Sequence, residues 1–183
     1  MTMRLRLSQV LISCFAAVLV SSCTTTQVKD ESVKVEARAR LEPTGAINPV
    51  VSQASIRTTI CVSGWTTTVR PSTSYTNAVK ATLLREHGLT QSDAALYELD
   101  HFIPLALGGH PRDLHNLWLQ PWDGQWGAKT KDHLEVKLKN LVCANQLALE
   151  AARDAIRVDW RAAFKRYVGA VPASHSLELP EGD

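Results

Sequence analysis

The apolar positions change rhythm several times along the chain. Leu7 to Val20 is a nearly unbroken apolar run behind Arg4 and Arg6. From Thr24 to Arg57 large apolar residues are sparse and charges alternate (Lys29, Asp30, Glu31, Lys34, Glu36, Arg38, Arg40, Glu42), with Pro43, Gly45 and Pro49 behind them. Ile56 to Trp65 is apolar enough to predict a short strand carrying Cys61. Pro71 breaks it, and Ser72, Thr73 and Ser74 offer caps for a helix from about Tyr75 to His87, stopped at Gly88. Leu99, Phe102, Ile103, Leu105 and Leu107 predict a strand, Gly108-Gly109 and Pro111 break it, and Asn116 to Leu119 reads as its return. Ala128 to Val142 then sets Leu134, Leu138 and Leu141 on one helical face, with Lys129, Lys131, Lys137 and Lys139 on or beside the exposed side. A last helix, about Leu147 to Val168, has Leu149, Ala152, Ile156, Trp160 and Phe164 near one stripe. Arg153, Arg157, Arg161 and Lys165 follow another stripe, read as a solvated face.

These elements predict an α+β fold. The 183 residues are enough for one core. The expected divisions are a leader over 1–22, a flexible tether over 23–57, a folded domain over 58–170 and a frayed tail over 171–183.

The leader changes the picture of where the protein works. Its apolar run is short for a membrane span. Val20-Ser21-Ser22-Cys23 resembles a bacterial lipobox, which would make Cys23 the acylated first residue of the mature chain. An ordinary secretory signal cut nearby and an uncleaved anchor are the alternatives. A lipid anchor places the protein at the bacterial envelope, on the outer membrane or the periplasmic face, with the membrane as a partner. Losing Arg4 and Arg6 takes the formal charge from +2 to about zero, so nucleic-acid affinity would have to come from a local patch. Beyond Cys14 and Cys23 only Cys61 and Cys143 remain, and in an exported chain the two are expected to pair.

The candidate chemistry lies in Tyr97 to Trp118, YELDHFIPLALGGHPRDLHNLW. Histidine suits the activation of water because its pKa lies near neutral. A carboxylate beside it can hold a divalent cation, which acts as a Lewis acid. On a strand Asp100 and His101 point to opposite faces. Asp100-His101, Pro104, Gly108-Gly109 and Asn116-Leu117, in the order strand, loop, strand, helix, resemble the HNH nucleases, whose fold is the ββα-metal finger. The likeness runs from about Ile60 to Trp160. Trp126-Gly127-Ala128, Lys131-Asp132, Glu135 and Val142-Cys143 look like its continuation.

The resemblance implies an endonuclease that hydrolyses phosphodiester bonds, DNA ahead of RNA, with little sequence specificity. His101 would be the general base, Asp100 a metal ligand and Asn116 the residue that fixes the loop. The family's ligand in the first helical turn has no counterpart among Gln125 to Lys129, so Asp132 and His133 are the next possible ligands. Magnesium is the default metal, with zinc, manganese and nickel as alternatives. Lys129 and Lys131, at the head of that helix, are the candidate phosphate contacts. The rival expectation is a degenerate finger that serves an envelope lipoprotein as a binding module.

Overall fold

A computed structural model gives the fold and describes residues 42–170. The leader, the proposed acylation site at Cys23, most of the tether and the tail lie outside the described residues. The elements in chain order are α1 (Trp65–Val69), α2 (Thr73–Glu86), β1 (Tyr97–His101), β2 (Leu117–Pro121), α3 (Ala128–Cys143) and α4 (Leu149–Tyr167). Short 3-10 turns join them. Helices around a small antiparallel sheet make the class α+β, as the sequence predicts.

The sheet has two strands, with Glu98 opposite Gln120, Asp100 opposite Trp118 and His101 opposite Leu117. Its Tyr97–Leu99 face packs with Leu119 against Leu83 and Leu84 of α2. The larger core lies elsewhere. Leu134, Leu138 and Val142 of α3 meet Leu149, Ile156, Trp160 and Phe164 of α4, with Ile103, Leu107, Val51, Ile56 and Ile60 filling the remaining sides. Trp126 closes one end, edge-on to both Trp160 and Phe164.

Several expectations need correction. The strand foreseen over Ile56 to Trp65 is a 3-10 turn at Ile56–Thr58, more turns, and then α1. Ile56 and Ile60 are both buried four residues apart, a helical spacing, while Thr59 Oγ1 donates to the Ser55 carbonyl at 2.7 Å. The first arm ends at His101 instead of running to Leu107, because the Asn116 side chain takes up the Ile103 backbone and Leu105–Leu107 winds into a turn. The last part of the expected tether belongs to the folded domain: Gly45 N donates to the His115 carbonyl, Ile47 bridges Gly109, and Val51 and Ile56 are buried. Arg153 is no surface residue. It is 2% exposed, and its guanidinium donates to the carbonyls of Leu107 and Val51 and to Glu150. It thereby ties the residue 51 segment to α4.

Within α4 the backbone leaves the helix at Asp159 (φ −168°, ψ 98°). The Asp159 carboxylate caps the second half by accepting from the amides of Arg161 and Ala162. Cys61 and Cys143 form the expected disulfide, with Cα atoms 5.6 Å apart. It fastens the turn after Ile60 to the last residue of α3 and closes a loop spanning 82 positions, a constraint worth about 4 kcal/mol in the chain-entropy picture.

Candidate active site at the end of β1

The loop from Phe102 to Asn116 is folded back on itself by one side chain. Asn116 is fully buried; its Oδ1 accepts from Ile103 N at 2.8 Å, and its Nδ2 donates to the carbonyls of Ile103 and His110, each at 3.0 Å. The loop backbone passes so close that a Cβ on Gly109 would stand 1.7 Å from the Ile103 oxygen. Gly108, at φ +75°, makes the turn into this approach. Sequence reading gave Asn116 the task of fixing the loop, and its three bonds do that.

This folding delivers the Pro111 carbonyl to His101. His101 is 6% exposed, with Nε2 3.0 Å from the Pro111 oxygen. A carbonyl can only accept, so Nε2 carries the proton and Nδ1 keeps its lone pair. Burial lowers the His101 pKa most, and the charges of Arg70 and Lys131 add to that, against the Pro111 bond and the Asp100 charge. The ring is therefore neutral at pH 7, with Nδ1 free of hydrogen bonds among the described residues.

On the opposite face Asp100 is tied down. Its Oδ2 accepts from Lys131 Nζ at 2.7 Å and from Trp118 Nε1 at 3.2 Å. Lys131 is fully buried, and its ammonium also donates to the His101 carbonyl at 3.0 Å and to Glu135 Oε1. Burial works against this charge, but the Asp100 and Glu135 carboxylates outweigh it and raise the Lys131 pKa. Lys131 cannot meet a phosphate, which corrects the sequence reading. Lys129, two residues earlier, is exposed and keeps that possibility.

The other predicted ligands separate. Asp132 stays near Asp100: burial, then the Asp100 charge, raises its pKa. His133 leaves α3 about 200° around from Lys131, and its buried Nε2 has no partner among the described residues. No three His, Cys, Asp or Glu side chains among the described residues come together as a metal set. With a buried ammonium on Asp100 and no such set among the described residues, the arrangement does not fit the expected metal centre.

Comparison with protein-family models, curated proteins and solved structures finds no match to this chain.

Sequence reasoning gave no site role to three neighbours. Glu98 shares the Asp100 face of β1, and its pKa is pushed up to about 7 by burial, then by the charges of Asp100 and Asp132. Two-residue spacing on a strand was its signal. Glu135 lies one turn beyond Lys131, and burial raises its pKa against the pull of that lysine. Arg70, exposed at the end of α1, has a charge that bears on both His101 and Asp132. No motif marked it.

Proposed function

We propose that the protein is a nuclease of the HNH type, hydrolysing phosphodiester bonds in nucleic acid, DNA ahead of RNA, with little regard for sequence. The observation that carries this reading is the state of His101: a neutral imidazole whose proton is fixed on Nε2 by the Pro111 carbonyl, with Nδ1 bare. Such a group takes a proton from water at neutral pH. The nearby Asp100 charge favours the imidazolium that forms. Arg70 is exposed and its charge bears on His101, which supports a phosphate contact there, and the exposed Lys129 is a further candidate cation. In the family that the motif resembles a divalent metal acts as Lewis acid, but the donors present do not fit one, and no step here uses it. The leader and Cys23 support export and a lipid anchor at the envelope.

The test is cleavage of plasmid and single-stranded DNA by the full chain, beside His101→Ala. The expected result is a loss of about a hundredfold or more in the variant. Wild-type cleavage should hold its rate through about pH 6.5, the ordinary imidazole midpoint, and fall only in stronger acid, because the His101 pKa is lowered. Cleavage that survives His101→Ala would remove this mechanism.

A second reading, a non-catalytic binding module, draws on the occupied Asp100 carboxylate. Salt-sensitive binding of DNA without turnover, from a folded and oxidised protein, would select it.

A further inference from the structure

We propose that Lys131 is the protein's own cation at Asp100, standing where a divalent metal would otherwise bind. An ammonium has three N–H donors, and here each has an oxygen: Asp100 Oδ2 at 2.7 Å, the His101 carbonyl at 3.0 Å and Glu135 Oε1. Two carboxylates and a carbonyl are the ligand types that hard cations take. The side chain is 0% exposed and all three donors are taken, so none is left for a substrate. Glu98 and Asp132 lie within reach of its charge, and no three acidic, histidine or cysteine side chains among the described residues converge to hold an ion in its place.

The arrangement also gives Lys131 a positioning role. It reaches from the first turns of α3 to the carboxylate of Asp100 and the backbone of His101, and so holds the end of β1 against the helix. A soluble ion would come and go with its concentration, whereas this charge is always present. The inference shares its site with the proposed nuclease. Its test reads cation binding and not cleavage, so the two can fail separately.

The experiment uses the full chain in detergent with manganese or magnesium chloride as the probe, against an EDTA control. Calorimetric titration and thermal melting are run on wild type, Asp100→Asn, Lys131→Met and the double variant. Wild type and Asp100→Asn should give the same response to the ions. Lys131→Met, its two carboxylates left facing each other, should gain about 3 °C or more with about 1 mM manganese, and the double variant should not. Wild-type binding tighter than about 100 μM that Asp100→Asn abolishes would overturn the proposal. A folded Lys131→Met that ignores both ions would overturn it too. If Lys131→Met does not fold, wild type against Asp100→Asn decides alone.

Discussion

Adjacent residues of β1 are held by opposite means. On one face Asp100 meets a buried ammonium, a second carboxylate beyond it and an indole N–H. On the other, the His101 ring meets only a backbone carbonyl among the described residues, brought there by a loop that neutral amide bonds hold shut. Charge fixes the first residue and neutral geometry fixes the second. A neutral partner orients the His101 ring and fixes its tautomer without bringing a formal charge beside it. A carboxylate in a half-buried place is stabilised by a permanent opposite charge beside it.

Removing Lys131 should break this contrast most. Lys131→Met leaves the half-buried Asp100 and Glu135 without their cation, and chemical denaturation should show a loss of about 3 kcal/mol. The neutral face should yield a comparable loss. Asn116→Ala orphans the Ile103 amide and two carbonyls, a loss of about 2–4 kcal/mol by the same measurement. It should also release Pro111 from His101, seen as a changed imidazole nitrogen shift in NMR.

Glu98 gives the smallest and most specific effect. Its folded pKa of about 7 lies above its ordinary value of 4.5, so the native state holds a proton that the unfolded chain has given up. Stability therefore falls as pH rises through that window. A full shift of this size would be about 3.4 kcal/mol. Glu98 is only half-buried, and solvent screening reduces the effect to roughly 1 kcal/mol. Glu98→Gln should melt like wild type at pH 4 and be more stable by roughly 1 kcal/mol at pH 8. An unchanged pH slope in this variant would place the acidic strain elsewhere on the Asp100 face.

The elements with strong periodicity were legible: α2, α3 and α4 lie within a few residues of their expected bounds. The order strand, loop, strand, helix was legible from the glycine pair and Asn116, because few sequences need a glycine where backbone and amide leave no room for a Cβ. The disulfide followed from counting cysteines. Ile56 to Trp65 was misread because β-branched and apolar residues raise strand propensity, while tertiary burial of Ile56 and Ile60 decides the outcome. Lys131 was misread by residue type. Lysine is seldom fully buried, yet Lys131 lies three residues before Leu134 and seven before Leu138, on the inward stripe. Its spacing outweighed its charge, as that of Arg153 did on α4. The sequence carried no sign that Lys131 and Asp100 would meet, since 31 positions separate them.

The Cys61–Cys143 bond makes a covalent ring that contains α1, α2, both strands and all of α3. Inside a ring one broken peptide bond does not divide a molecule. A protease cut in the exposed turn at His87-Gly88 would leave a single particle, its halves parting only on reduction. The candidate site lies wholly within this ring, whereas α4 and residues 42–60 lie outside it, each joined through a single backbone link and otherwise held by packing and hydrogen bonds. A nick therefore has different consequences on either side of the cysteines: within them it changes the route of the chain, and outside them it sets a piece free.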